Sequence, residues 1–116
     1  MQMNERTTHG VLVLDLQGLL TTVDDGAQRM RERVTSAFEQ GQSKVLVNLG
    51  GVPHMDSGAL GELVRCSLAA RRTRSSIRLF GLTRRVVELL TITKLLPEFD
   101  TYTTEQEALD SFLVTA

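Results

Sequence analysis

The part of the chain best suited to chemistry is a short segment, residues 52–61, which carries His54, Asp56 and Ser57 close together. It follows an apolar run that predicts a buried strand and precedes a helical pattern, so we expect Ser57 at a strand-to-helix junction. Such a junction presents free backbone N–H groups and the positive end of the helix dipole, and phosphate groups are well accommodated there. The small residues after Ser57 leave its hydroxyl open to another protein.

Two simpler interpretations of this segment remain open. Asp and Ser are the commonest helix caps, so Asp56 or Ser57 can be an N-cap alone, with the nearby glycines only allowing close packing. The closeness of His54 and Ser57 also suggests a hydrolase. That interpretation is disfavoured, because the chain has no Gly-x-Ser-x-Gly elbow and no acidic residue is placed to orient His54. We therefore predict no catalytic residue, and a protein that is not an enzyme.

The elements that position this segment follow from changes in the hydrophobic period along the chain. Apolar, β-branched runs predict buried strands, and apolar residues at the helical period predict amphipathic helices. The predicted strands are residues 11–16, 44–49 and 77–80, with 2–8 as an edge strand that turns at residues 9–10 and 99–102 as a short extended segment. The predicted helices are residues 25–41, 57–72, 83–93 and one that starts at residue 104.

Strands that alternate with helices predict α/β crossovers and a largely parallel sheet, with an antiparallel first hairpin. The chain has 116 residues and no linker or repeat, so we expect one domain over residues 1–116. The side chains predicted to face the core are Leu60, Leu63, Val64, Ser67 and Leu68 on helix 57–72, and Ala108, Leu109, Phe112 and Leu113 on the last helix. Cys66 is predicted to be a small buried hydrophobe.

Composition and charge restrict the classes of function. Thirteen Lys and Arg stand against 14 Asp and Glu, a net charge of −1, which lacks the basic excess of a nucleic-acid-binding domain. No apolar run approaches the ~20 residues that span a bilayer, and no signal peptide opens the chain. One cysteine and two histidines allow no internal disulfide and too few ligands for most metal sites. We predict a cytoplasmic protein without metal, cofactor, direct nucleic-acid contact or membrane insertion.

A group of arginines begins at the end of helix 57–72 and continues beyond it in the sequence. Its members are Arg71, Arg72, Arg74, Arg78, Arg84 and Arg85. Exposed charge is the ordinary case, which favours solvated helix ends and loops. The alternative is a docking surface for an acidic partner, acting mainly on association rate and specificity.

Residues 55–64, Met-Asp-Ser-Gly-Ala-Leu-Gly-Glu-Leu-Val, resemble the signature of the STAS domain in the anti-sigma factor antagonist (anti-anti-sigma factor) family. The resemblance extends from residue 11 to residue 112. It includes strand 44–49, which runs into the signature, and residues 82–96, which are similar to the family's third helix and following turn. The resemblance implies a STAS fold of the α/β class, a mixed four- to five-stranded sheet with about four helices mainly on one face.

The resemblance also implies a function. The unphosphorylated form of such an antagonist binds an anti-sigma factor with serine kinase activity and so frees a sigma factor, a partner switch that regulates transcription. The kinase phosphorylates the Ser or Thr directly after the signature Asp, which ends the interaction, and a phosphatase restores it. By this resemblance Ser57 is the phosphorylation site. The partner-binding segment is then Asp56, Ser57, Gly58, Ala59 and Leu60.

The sequence departs from the family's pattern at three places. Gly58 stands where the family often has a second hydroxyl residue, and Ala59 stands where it usually has glycine. Residues 18–24 lack the Gly-Glu-Leu-Asp sequence of many antagonists. A rival interpretation is a STAS module that is not phosphorylated and serves as a scaffold in a signalling or transporter-associated complex.

Overall fold

A five-stranded sheet runs through the protein, and its strands lie side by side in the order in which they occur along the chain. The computed structural model describes residues 1–113. The strands are β1 (Gln2–Thr8), β2 (Val11–Gln17), β3 (Lys44–Gly51), β4 (Ser76–Phe80) and β5 (Asp100–Tyr102). The helices are α1 (Gly26–Glu39), α2 (Ser57–Arg72), α3 (Arg84–Ile92) and α4 (Glu105–Leu113), with a 3₁₀ turn at Leu96–Glu98.

The sheet is mixed, as predicted. β1 pairs antiparallel with β2, and the β2–β3, β3–β4 and β4–β5 pairings are parallel. The hairpin between β1 and β2 turns at His9 and Gly10, whose φ angles are 53° and 76°. Two positive φ angles match a tight turn to the twist of the strands it joins. The parallel pairings follow because a helix crosses over between each of these strands and the next.

Helices cover both faces of the sheet, with three of the four on one side. On that side α1, α2 and α3 pack on strand residues Leu12, Leu14, Leu16, Val45, Val47, Leu49, Ile77 and Leu79. On the other side Ala108, Leu109 and Phe112 of α4 pack on Val11, Val13, Leu46 and Phe80. Successive side chains of a strand point to opposite faces, so continuously apolar strands serve both layers. The prediction of helices mainly on one face is confirmed.

The buried stripe of α2 differs from the predicted one. Leu63 is fully buried, but Leu68 is 51% exposed, so the prediction for Leu68 was wrong. The buried residues of α2 are Ala59, Leu60, Leu63, Cys66, Ala69 and Ala70. The inward stripe is therefore rotated about the helix axis from the predicted one, and small residues fill most of its positions, which leaves Leu68 on the outer side. Cys66 is buried as predicted, whereas Leu113 at the end of α4 is 74% exposed, contrary to prediction.

Candidate functional site

The candidate site lies where two loops meet at the carboxyl ends of β2 and β3. The β2–α1 loop (residues 18–25) is bonded to the β3–α2 loop (residues 52–56) through the backbone. The Leu20 N–H donates to the His54 carbonyl at 3.1 Å, and the Asp56 N–H donates to the Leu20 carbonyl at 3.3 Å. Leu20 and Met55 form a parallel bridge, and both are buried. The residues that lead into α2 are therefore hydrogen-bonded to the β2–α1 loop.

Asp56 is the N-cap of α2, and its carboxylate uses both oxygens. Oδ1 accepts a hydrogen bond from the Ala59 N–H at 2.7 Å, which satisfies one of the free donors of the first turn. Oδ2 accepts from the Thr22 N–H at 3.0 Å and from the Thr22 hydroxyl at 3.1 Å. One side chain thus caps the helix and binds the β2–α1 loop to it.

These contacts decide the ionisation of Asp56. Burial by itself raises the pKa of the carboxyl, since it disfavours the charged form. The hydrogen bonds from Thr22 and Ala59 favour the charged form and outweigh burial, and His54 adds a smaller favourable interaction. The pKa of Asp56 therefore lies below its ordinary value, and the carboxylate is a fixed anion at neutral pH.

Ser57 is the first residue of α2 and is exposed to solvent. Within residues 1–113 its hydroxyl has no hydrogen-bond partner. The interpretation as a helix cap therefore holds for Asp56 and not for Ser57. The structure leaves Ser57 with a free hydroxyl on a backbone that the neighbouring Asp56 holds in place.

Gly58 is required by a neighbour from the other loop. A Cβ atom at this position would lie 2.6 Å from Cγ2 and 2.7 Å from Oγ1 of Thr22, closer than real Cβ contacts allow. The Thr22 side chain thus occupies the space in which a larger residue at position 58 would place its own side chain. Gly61 differs, because a Cβ there would meet nothing within 4 Å. Close packing explains the glycine at 58 and gives no reason for the glycine at 61.

The next two residues of the predicted partner-binding segment belong to the core. Ala59 is fully buried and Leu60 is 3% exposed. Both side chains pack in the layer beneath α2, so they anchor the helix start. The accessible part of the segment is Ser57, Gly58 and the rim of Asp56.

Within residues 1–113, Ser57 and His54 are not hydrogen-bonded to each other. His54 is exposed, and within residues 1–113 its ring makes no hydrogen bond. The nearest carboxylate in sequence, that of Asp56, is already engaged by Thr22 and Ala59. A nucleophile needs a base within hydrogen-bond reach and a group that orients the base, and this arrangement offers no support for the hydrolase interpretation.

Three residues of the site were missed by the sequence analysis. Thr22 contacts Asp56 from 34 positions away, and no local pattern marks such a contact. Leu19 and Val23, which lie on either side of Thr22 in the β2–α1 loop, are 55% and 93% exposed. Two apolar residues in a loop of Thr and Asp residues were the available signal for an interaction surface.

The six arginines grouped in the sequence do not all lie on one surface. Five of the six are exposed, among them Arg71, which pairs with Glu98 at 3.2 Å. Arg78 is 7% exposed and lies on the opposite face of the sheet beneath α4, so a solvated role was wrong for it. Its guanidinium carbon lies 4.2 Å from the centre of the Phe112 ring. That contact is worth about 2 kcal/mol when desolvated, less than the several kcal/mol that burying an unpaired cation costs.

In the part of the chain from residue 1 to residue 113, no group of three or more His, Cys, Asp or Glu side chains is placed to hold a metal ion. None of its helices has the length and apolarity to cross a membrane.

Known proteins share the fold described above. A family model described as the STAS domain matches residues 2–108. An anti-sigma-factor antagonist (STAS) domain protein from Planctomyces limnophilus has a similar structure, with TM-score 0.82, 22% identity, and coverage of 96% of this chain and 97% of that one. No curated protein sequence matches the chain.

Two further proteins of similar structure carry different descriptions. The anti-sigma factor antagonist SpoIIAA in its unphosphorylated form has TM-score 0.74 and 19% identity, covering 97% of this chain and 99% of that one. Its phosphorylated form, described as a Bacillus cell fate determinant, has TM-score 0.73 and 19% identity, covering 96% and 99%. A sulfate transporter family protein from Wolinella succinogenes has TM-score 0.73 and 13% identity, covering 96% and 93%. At these identities the likeness establishes the fold.

Proposed function

The chain belongs to the STAS domain family, and on that premise we propose that it is an anti-sigma factor antagonist switched by phosphorylation of Ser57. Its unmodified form binds an anti-sigma factor that is also a serine kinase, and this frees a sigma factor for transcription. The kinase then phosphorylates Ser57 and ends the interaction. A phosphatase returns the protein to its binding form. In this role the protein is a substrate and a regulator rather than an enzyme, acting in the cytoplasm.

The observation that carries the proposal is the free, exposed hydroxyl of Ser57 at the start of α2. A kinase must bring an acceptor hydroxyl into its own active site, so the hydroxyl has to be accessible and not engaged within the substrate. The position of Ser57 is also defined, because the neighbouring Asp56 accepts hydrogen bonds from Ala59 in the helix and from Thr22 in the β2–α1 loop. Ser57 meets both requirements.

The same position explains how a phosphate would act as a switch. The N-terminus of a helix accommodates a phosphate through free N–H groups and the helix dipole, so the free protein loses little stability. The phosphate adds a charge of about −1.5 to −2, which an interface built around a neutral hydroxyl cannot bury without desolvation or repulsion. Asp56 beside it is already an anion, so the modified surface is strongly negative.

The partner-binding surface is formed by Asp56, Ser57 and Gly58, with Ala59 and Leu60 holding the helix start from below. The β2–α1 loop extends this surface, since Thr22 lies against Gly58 and the exposed Leu19 and Val23 lie on either side of it in the chain. A phosphate on Ser57 would then be introduced beside apolar contacts, where its desolvation is most costly.

The likeness to SpoIIAA supports the proposal, because that anti-sigma factor antagonist is known in unphosphorylated and phosphorylated forms. The direct test is to incubate the protein with anti-sigma factor kinases and ATP and to locate the phosphate by mass spectrometry. We expect phosphate on Ser57, none in Ser57→Ala, and wild-type incorporation in Ser67→Ala, a matched change on the same helix. Undiminished incorporation into Ser57→Ala would reject the proposal.

A second function has one observation in its favour. The chain is similar in structure to a protein described as belonging to the sulfate transporter family, so a scaffold role without phosphorylation is the alternative. Under that alternative no kinase modifies Ser57, and Ser57→Asp binds the partner as wild type does.

A further inference from the structure

Arg78 is a charged residue of β4 placed beneath α4. Its neighbours in the sheet are Leu46 on β3 and Asp100 on β5, and Phe112 of α4 covers its guanidinium. The side chain is 7% exposed. Within residues 1–113, its Nε and Nη1 atoms are buried and have no hydrogen-bond partner. A guanidinium in water has all its donors satisfied, so the closed structure holds Arg78 in an unfavourable state.

Helix α4 packs over this face of the sheet, with Phe112 against Arg78, and it is a short helix. Within the described part of the chain it has nine residues, Glu105–Leu113, and an isolated helix of that length is marginal in water, so packing must hold it. Its packing comes from Ala108, Leu109 and Phe112 against the sheet. At its start Glu105 receives two donors of Arg6 from β1.

We propose that α4 opens as a unit while the other layers of the fold stay intact, and that Arg78 sets how often it does so. When α4 lifts, Arg78 becomes hydrated and its lost hydrogen bonds are restored by water. The free energy of opening is lowered by the free energy that Arg78 gains when water hydrates it. The open state exposes Val11, Val13, Leu46 and Phe80, an apolar face of the sheet that the closed protein hides.

The opening is selective for α4. Among the buried side-chain nitrogen and oxygen atoms of residues 1–113, those without a partner belong to Arg78. In the described part of the chain, the layer formed by α1, α2 and α3 has no such group, so lifting those helices gains no comparable hydration. The opening of α4 takes place on the face of the sheet opposite to α2 and Ser57. It is independent of the function proposed for Ser57.

Native-state hydrogen exchange of the whole protein tests the proposal. In the wild type we expect amides of α4, such as those of Leu109 and Phe112, to be at least tenfold less protected than the Leu46 amide of β3. Low urea concentrations should change the α4 protection little, since a local opening exposes little surface, and should lower the Leu46 protection. If the α4 amides follow the same urea dependence as Leu46, then α4 opens only with global unfolding and the proposal fails.

Arg78→Met tests the role of the cation. Replacing an unpaired buried charge by an apolar side chain of similar length removes the cost of the closed state. We expect the hydrogen-exchange protection of the α4 amides to rise at least tenfold. The protection of the Leu46 amide should rise as well, because Arg78 is also hydrated on global unfolding. Arg85→Met, an exposed position on α3, should change neither. A rise at Leu46 without a rise in α4 would show that Arg78 stays buried when α4 opens, and would overturn the proposal. The wild-type comparison decides the opening itself even if Arg78→Met does not fold.

Discussion

Thr22 and Asp56 join two loops through a single carboxylate oxygen. The N–H and the hydroxyl of Thr22 both donate to Oδ2 of Asp56, at 3.0 and 3.1 Å, across 34 positions of the chain. The other oxygen caps α2 through Ala59. The arrangement ties the shape of the β2–α1 loop to the helix start that carries Ser57, so changes in the loop should be felt at the proposed phosphorylation site.

A negative charge at position 57 should weaken partner binding without unfolding the protein. We expect full phosphorylation to reduce affinity for the cognate kinase by ~2–4 kcal/mol, because a charge without compensation must be buried. Ser57→Asp should show part of that loss, having about half the charge. Ser57→Asn, which has the same shape as the Asp variant without the charge, is the matched control and should bind nearly as wild type. Calorimetric titration measures all four forms, and equal affinities for the Asp and Asn variants would contradict the switch.

The two glycines of the α2 start should respond in opposite directions to alanine. Gly58→Ala forces a Cβ against Thr22, so we expect a loss of about 1–3 kcal/mol in the free energy of unfolding, the range for overpacking. Gly61→Ala meets open space in a helix and should gain about 0.5–1 kcal/mol. Urea titration measures both. Equal effects at the two positions would mean that Thr22 does not occupy the space over Gly58.

Thr22→Ala offers a check on that explanation. It should cost less in the Gly58→Ala background than alone, because it relieves the crowding as well as removing the hydroxyl. A double-mutant cycle gives the coupling between the two positions, and a coupling near zero would separate the glycine from the loop.

The stability that Asp56 confers should depend on pH in a defined direction. Its pKa in the folded protein lies below the ordinary value of 3.8, so the folded state binds the proton less readily than the unfolded state. The contribution is therefore complete above the unfolded pKa and is lost as pH falls through the folded pKa. The difference in unfolding free energy between wild type and Asp56→Asn should be constant near neutral pH and shrink below about pH 4.

Asp25→Asn is the control for that titration. Asp25 is the N-cap residue of α1, and its side chain makes no cap hydrogen bond. Its carboxylate forms an exposed ion pair with Arg29 at 3.2 Å, so its replacement should shift stability by about 0.5 kcal/mol or less. If the difference between wild type and Asp56→Asn grew on acidification, folding would have to raise the pKa of Asp56 rather than lower it.

Two leucines of α2 should differ in their contribution to stability. Leu63 is fully buried, so Leu63→Ala should cost roughly 2–5 kcal/mol, the range for truncating a core leucine. Leu68 is 51% exposed, so Leu68→Ala should cost no more than about 0.5 kcal/mol. Denaturant unfolding of the two variants compares positions on one helix with the same substitution. A large loss at Leu68 would place it in the core and contradict the packing of α2.

The extents of the elements around the site could be predicted from the sequence, because they depend on local patterns. Helix α2 was predicted over residues 57–72, and the structure has it at Ser57–Arg72. An acidic residue before an apolar helical period and two arginines at its end are enough to define that range. The hairpin of β1 and β2 could also be predicted from the sequence. Its turn at His9-Gly10 and the apolar run after it lie within a few residues of one another.

Tertiary structure alone decided which side chains meet. The contact of Thr22 with Asp56 and Gly58 joins parts of the chain that no short window of sequence contains. Leu68 lies on the exposed side of α2, although its type and spacing predicted a place on the inward stripe. Arg78 is a charged residue in an apolar strand, and it is buried on the face of the sheet where Phe112 of α4 lies over its guanidinium. Such contacts are set by how distant elements pack together, and packing overrides local preference when the two differ.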